Sequence, residues 1–444
     1  MHTLESLLSK CQLPAVIEGR AGSGKSTLLI YYTAERLAQS SVSSVQALFL
    51  TQSEGLLKKA KELIVNIRER LCQEYGERGN MEMAFRTYHK FALDQLPAGR
   101  QERFADRSQR GGWLDFAQFS ELLRGRGSRA ADIFRHPFGR SRDCNPEIVW
   151  FILRSYIKGY KIGERGEDRW MSPDEYEEEV PAGDRQVSVE LYRQVWDCVW
   201  PWYKRLTVPG RENDENPPYW DDLDLAWEVL EHRRSDAPTY AVLICDEVQD
   251  LTRVELASLL AALVWTRYDL AELVRQYRSL PLPIILAGDA HQTINPSCFR
   301  WQRVSADLAQ ALVQHLPHLQ RPSIPRLELA YNYRNAQSIA QLCNAAQHLR
   351  QHTLGVRSRL QELWRMRDSQ PNQRIRRLVL RPGNSDLQGL LEEGVLAIGP
   401  VEDDPELEGG RAFWQPSGSL RHRKIFRTTS RRLRLRVWNR TTWP

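Results

Sequence analysis

Residues 19–27 read Gly-Arg-Ala-Gly-Ser-Gly-Lys-Ser-Thr, a complete GxxxxGK[ST] pattern. No other stretch constrains the chain as tightly, because the pattern works only between a strand and a helix. Its glycines let backbone N–H groups approach a phosphate without an intervening Cβ, and the helix that follows points its positive end at the same place. The flanks fit. Ala15-Val16-Ile17 is a short apolar run that reads as a buried strand, and Leu28, Leu29, Tyr32 and Leu37 recur at helical spacing. Gly19, Arg20, Ala21, Gly22, Ser23, Gly24, Lys25, Ser26 and Thr27 are therefore candidate phosphate-binding residues. Lys25 is placed to reach the β and γ phosphates of a nucleotide, and the Ser26 hydroxyl to ligate Mg²⁺.

A phosphate loop needs an acidic partner at the end of a neighbouring strand. Residues 239–245 (Thr-Tyr-Ala-Val-Leu-Ile-Cys) form a continuous apolar run, and Asp246-Glu247-Val248-Gln249-Asp250 follows at once. Asp246 fits a Mg²⁺ ligand, and Glu247 fits the group that orients and polarises an attacking water. A third segment, Leu286-Ala-Gly-Asp-Ala-His-Gln292-Thr, places an amide just beyond another apolar run, Pro283–Ala287. A fourth, Leu329-Ala-Tyr-Asn-Tyr333-Arg334-Asn, offers an Arg able to neutralise charge developing on a transferring phosphoryl group.

Composition sets outer bounds. At 444 residues the chain exceeds one compact domain, and 41% hydrophobic residues with 14 Trp suffice for true cores. The seven Cys are scattered, with no CxxC, so neither a disulfide framework nor a zinc site is indicated. No apolar run is long enough to span a bilayer and the N-terminus has no signal-peptide core, which predicts a soluble, cytoplasmic protein with no membrane partner. The net charge of +6 is misleading, since residues 411–444 hold ten Lys/Arg and no Asp/Glu; without them 52 basic side chains face 56 acidic ones. A nucleic-acid argument for the main body must rest on motifs rather than bulk charge.

The pattern along the chain predicts an α/β protein built on a parallel P-loop sheet. Its parts are a first section of the nucleotide domain at 1–95, a charged, Trp-rich helical insertion at 96–235, and the domain's second section at 236–322. A partial second α/β domain follows at 323–410, and then a basic, irregular tail at 411–444. Ala47–Leu50 reads as a second buried strand and Leu56–Ile67 as a helix. The insertion's many Trp (113, 150, 170, 196, 200, 202, 220 and 227) read as core side chains rather than stacking platforms.

Taken in order, GRAGSGKST, DEVQD, GDAHQT and NYRN resemble motifs I to IV of the UvrD/Rep-like superfamily 1 helicases. Phe49-Leu-Thr51-Gln52-Ser53 resembles motif Ia, and Thr87-Tyr88-His89-Lys90-Phe91 the family's Thr-aromatic-His segment. The resemblance covers residues 14–340. It implies two RecA-like domains, ATP with Mg²⁺ between them, and translocation along single-stranded DNA or at DNA junctions, usually 3′ to 5′. It further implies Lys25, Glu247, Gln292 and Arg334 as catalytic, with Gln292 a sensor that couples ATP to DNA and Arg334 an arginine finger. Tyr333 would stack on adenine, and Ser26 with Asp246 would hold the metal. Thr51, Gln52, Ser53, Tyr88, His89, Phe299 and Trp301 match positions near the DNA track, although Phe299 and Trp301 read equally well as a packed core pair.

Three departures stand against the family pattern. Its adenine-reading Gln lies well upstream of the loop lysine, whereas Gln12 stands much closer to Lys25. Motif V is not found. Nor is motif VI, which carries a second catalytic Arg. Either 411–444 is an arm that binds phosphates non-specifically, or the second domain is cut short, for instance by a shifted reading frame. The ordinary α/β character of 394–400 favours the second reading. A protein that binds ATP and DNA without productive turnover is the alternative function.

Overall fold

The computed structural model describes residues 14–39, 46–75, 82–108, 111–124, 145–163, 166–209, 218–263, 284–315, 324–334, 340–341, 343–348 and the short strands at 362–363, 396–398 and 436–438. Two compact units divide the chain, Met1–Arg367 and Asp368–Pro444.

The first unit is built on six parallel strands: β1 (Ala15–Gly19), β2 (Gln46–Thr51), β3 (Glu82–Thr87), β4 (Val242–Cys245), β5 (Ile284–Gly288) and β6 (Arg326–Leu329). They lie in the order β3-β2-β4-β5-β1-β6. Four of them are continuous apolar runs because helices cover both faces of the sheet. Alternate residues serve the two sides. Ile17, Ala47, Phe49, Val242, Ile244, Ile285 and Ala287 pack with Leu28, Leu29 and Ile64 from the helices Lys25–Gln39 and Glu54–Tyr75. Val16, Leu48, Leu50, Leu243, Cys245 and Leu286 pack on the opposite side, where they share one core with the helical region and the helix Trp301–His315. This is a RecA-like P-loop fold, as the motif spacing predicts.

The strand β6 changes one expected boundary. The sequence pattern starts a second α/β unit at residue 323, yet Arg326–Leu329 pairs in parallel with β1 and completes the first sheet. Beyond it, β7 (Tyr331–Asn332) forms a two-residue parallel ladder with β8 (Glu362–Leu363). In the second unit, β9 (Leu396–Ile398) pairs antiparallel with β10 (Arg436–Trp438). Residues 340–341 and 343–348 are helical, and the remainder of the expected partial domain and basic tail lies outside the described residues, as does Gln12.

Between β3 and β4 the described residues are mostly helical. Its Trp side chains are mostly core: Trp150, Trp170, Trp200, Trp202, Trp220 and Trp227 are buried, and Trp113 and Trp196 pack against them. At its centre the helix Pro146–Ile152 continues into a π-helical turn, Leu153–Lys158. Such turns are rare and often functional. Here the turn delivers Lys158 into the interior at 0% exposure. Its ammonium donates to Asp221 Oδ2 at 2.7 Å, Asp224 Oδ1 at 2.6 Å and Thr207 Oγ1 at 3.4 Å, while the Tyr203 hydroxyl donates to Asp221 at 2.6 Å. Asp221 also caps the helix Asp222–His232 through the N–H groups of Leu223 and Asp224. Among the described residues, no helix is long and apolar enough to cross a membrane.

Candidate active site

The phosphate loop leaves β1 at Gly19 and enters the helix at Lys25. Gly22 and Gly24 take φ of +81° and +86°, a region in which a Cβ is strained. At Gly19 a Cβ would lie 2.3 Å from Ser23 Oγ. The turn therefore depends on its glycines, and the Ser23 hydroxyl is buried there without a hydrogen-bond partner. The buried Lys25 ammonium donates to Gly19 O at 2.7 Å and Arg20 O at 3.5 Å. Arg20 and Ala21 are half-buried, and Ser26 and Thr27 are exposed at the start of the helix.

The acidic segment meets this loop from the end of β4. Ser26 Oγ donates to Asp246 Oδ2 at 2.6 Å, a contact that spans 220 residues of sequence. Burial pushes the Asp246 carboxyl up to about 6. The neighbouring Glu247 adds to the rise, and the Ser26 hydroxyl and the Lys25 ammonium oppose it. A carboxylate held in this state is relieved by a cation. Glu247 adopts left-handed φ and ψ of 59° and 39°, and Gln249 Nε2 donates to its Oε2 at 2.6 Å. A non-glycine residue there costs roughly 1 kcal/mol or more, so the surrounding bonds must hold it.

The third segment closes one side. Asp289 N–H donates to Gln249 Oε1 at 3.0 Å, and Gln292 Nε2 donates to Asp289 Oδ2 at 2.7 Å. Asp250 accepts the N–H groups of Ile294 at 2.7 Å and Asn295 at 3.1 Å, and the Ser297 hydroxyl donates to Gln249 O at 2.6 Å. The fourth segment lies directly on the phosphate loop. Tyr333 N–H donates to Gly22 O at 2.8 Å, and Asn332 Nδ2 donates to Ala21 O at 3.4 Å. Tyr333 Cδ2 stands 3.6 Å from where a Gly24 Cβ would be, and Arg334 Cβ 2.8 Å from where a Gly22 Cβ would be. Ser26 thus meets Asp246 directly, Tyr333 and Arg334 lie against the phosphate loop, and Gln292 is tied to Glu247 through Asp289 and Gln249.

The residues fit a nucleotide with its divalent cation. The positive-φ glycines leave a cradle that side chains would fill, a buried ammonium faces it, and the hydroxyl–carboxylate pair suits a hard cation that takes its other ligands from phosphate and water. Among the described residues, no group of three or more His, Cys, Asp or Glu is gathered to hold a metal without such help.

The candidate DNA contacts divide. Thr51, Gln52 and Ser53 follow one another off the end of β2, the first buried with its hydroxyl unpartnered and the last exposed. His89 is half-buried, bonds Phe104 O at 2.8 Å and stacks on Trp220 at 6.0 Å. Burial pulls its pKa below the usual imidazole value. Phe299 is half-buried, edge-on to Trp301 at 4.8 Å. Tyr88 and Trp301, each 3% exposed, correct the expectation. Both are core side chains, Tyr88 sharing a 2.7 Å bond with Ser258 Oγ, and neither offers a ring face to solvent.

Sequence reasoning passed over Gln249, Asp289 and Asn332. Each sits inside a segment already singled out, and the missing signal was that a polar residue beside an active group is so often its support.

The parallel sheet and the phosphate loop together define a RecA-like P-loop protein. Residues 3–126 match the UvrD/REP helicase N-terminal domain, which supports a UvrD-like superfamily 1 helicase. A comparison with curated proteins gives no match.

Proposed function

We propose that the protein is an ATP-driven translocase or helicase that acts on single-stranded DNA or DNA junctions, moving 3′ to 5′. The observation that carries this reading is the 2.6 Å bond from Ser26 to Asp246, which joins the phosphate loop to the acidic segment from 220 residues away. The N–H groups of residues 20–27 and the Lys25 ammonium hold the phosphates, and Ser26 with Asp246 holds Mg²⁺. Bound ATP with Mg²⁺ supplies the phosphoanhydride whose hydrolysis drives movement. Glu247 accepts a hydrogen bond from the attacking water and polarises it. Gln292 reports the state of the cleft to the adjoining loop. Tyr333 covers the base, and Arg334 faces the charge that develops on the γ-phosphoryl group. Thr51, Gln52, Ser53, His89 and Phe299 border the strand's path.

The test is ATP hydrolysis with and without a single-stranded oligonucleotide, in the wild type and in Lys25→Ala. Stimulated turnover in the wild type that falls by about 10²-fold or more in the variant is expected, since removing one charge-stabilising donor typically costs that much. ATP binding without DNA-stimulated turnover in the wild type would overturn the motor and leave a binding protein.

A further inference from the structure

Gln249 is 1% exposed, and both ends of its amide are committed. Nε2 donates to Glu247 Oε2 at 2.6 Å, and Oε1 accepts Asp289 N–H at 3.0 Å. This orientation is forced, because the Asp289 backbone N–H only donates, so the amide oxygen must face it and the amide NH₂ must face Glu247. Its own carbonyl accepts the Ser297 hydroxyl at 2.6 Å, so backbone and side chain both grip the segment after β5. Gly288 permits the approach. A Cβ at that position would stand 2.5 Å from Gln249 Oε1 and 3.1 Å from Val248 Cγ1. On the far side, Asp289 Oδ1 accepts His291 N–H at 3.0 Å and Oδ2 accepts Gln292 Nε2 at 2.7 Å. An unbroken series of bonds therefore runs Glu247, Gln249, Asp289, Gln292.

We propose that Gln249 is a positioning residue: it aims the Glu247 carboxylate and locks that aim to the Gln292 loop, so that a shift of the loop becomes a change in the geometry of water attack. The idea rests on the motor reading above. Holding Oε2 leaves Oε1 of Glu247 as the acceptor for water. It also fixes a residue whose backbone sits in the left-handed region and would otherwise relax. Gln292 has its amide tied to Asp289, so any force on the loop that carries it passes to Gln249 through the Asp289 N–H.

Gln249→Met keeps length and volume and removes both bonds. In steady-state ATP hydrolysis, with and without an oligonucleotide, the DNA-stimulated kcat is expected to fall at least about tenfold. That is a fraction of the roughly 10²–10⁴ that a well-placed base contributes. The KM for ATP should stay within about twofold, and the DNA-free rate should fall less, so the stimulation ratio collapses. A merely structural amide would lower both rates together or weaken ATP binding in step, and either result overturns the proposal, as does an unchanged ratio. Gly288→Ala attacks the same link from the other side with Gln249 intact. It should reproduce the collapse, and wild-type stimulation in that variant would equally refute the idea. A wild type without DNA-stimulated turnover sinks the motor reading and this inference with it. An active wild type beside an indifferent Gln249→Met sinks the inference alone.

Discussion

Replacing Lys158 by Met should cost the first unit about 3–5 kcal/mol of stability, the range for removing one partner of a buried ion pair. The size follows from what the ammonium leaves behind. Asp221 and Asp224 lie 2.7 and 2.6 Å from it, both almost wholly buried, and Tyr203 and Thr207 offer only neutral bonds in its place. Met fills the space of the chain, so the loss is electrostatic rather than a cavity. About 4 kcal/mol is roughly a thousandfold in the unfolding equilibrium. The pH dependence sharpens the test. Burial and the neighbouring Asp221 push Asp224 up to about 6. Burial also acts to raise Asp221, but Lys158 and the Tyr203 hydroxyl outweigh it and hold that carboxyl at about 2. In the wild type, the raised Asp224 takes up its proton near pH 6 in the folded state and only near 3.8 when unfolded, so this group adds stability as pH falls from 6 towards 4. The lowered Asp221 works the other way and withdraws stability as pH falls from 3.8 towards 2. Without Lys158, two carboxylates share a buried site, and protonating one of them relieves it. The deficit of Lys158→Met should therefore be larger at pH 8 than at pH 5. Urea denaturation followed by the fluorescence of the buried Trp residues reads both values. A loss under about 1 kcal/mol, well below the usual cost of an uncompensated buried charge, or one identical at the two pH values, would refute the argument.

Gly22→Ala should reduce ATP affinity at least tenfold, because the added Cβ meets Asn332 Oδ1 at 2.7 Å and Arg334 Cβ at 2.8 Å in a backbone region already hostile to side chains; titration with a fluorescent ATP analogue checks it, and unchanged affinity would show that the fourth segment yields freely. Tyr88→Phe should lose only the bond to Ser258, about 0.5–1.5 kcal/mol in denaturant unfolding, with oligonucleotide affinity unaltered. A drop in DNA binding at constant stability would return Tyr88 to the DNA track.

Much of this was legible in the sequence, for identifiable reasons. β1, β2, β4 and β5 are sandwiched between helices, so Ala15–Ile17, Ala47–Leu50, Val242–Cys245 and Ile284–Ala287 are unbroken apolar runs. The phosphate loop, DEVQD, GDAHQ and NYRN are each local in sequence, and the sheet brings their ends to one edge. The edge strands were harder. Arg326–Leu329 alternates charged with apolar residues, which suits an edge strand but does not show that it belongs to the first sheet beside the distant β1. Tyr88 looked like a stacking aromatic because a sequence does not reveal that Ser258 faces its hydroxyl inside the core. The Lys158 site joins three separate segments, and each of its acidic residues reads alone as ordinary surface.

The strand order has a consequence in time. β1 emerges first, yet its two neighbours come last, for Val16 pairs with Leu286 and with Arg326. At about 5–20 residues per second of synthesis, the strand waits roughly ten seconds to a minute for a sheet to enter. The carbonyls of Ala21 and Gly22 receive their partners from Asn332 and Tyr333, later still. A growing chain therefore carries the most recognisable part of its sequence as an unfinished, sticky segment on the ribosome. The phosphate loop gains its partners only when the sheet closes around it.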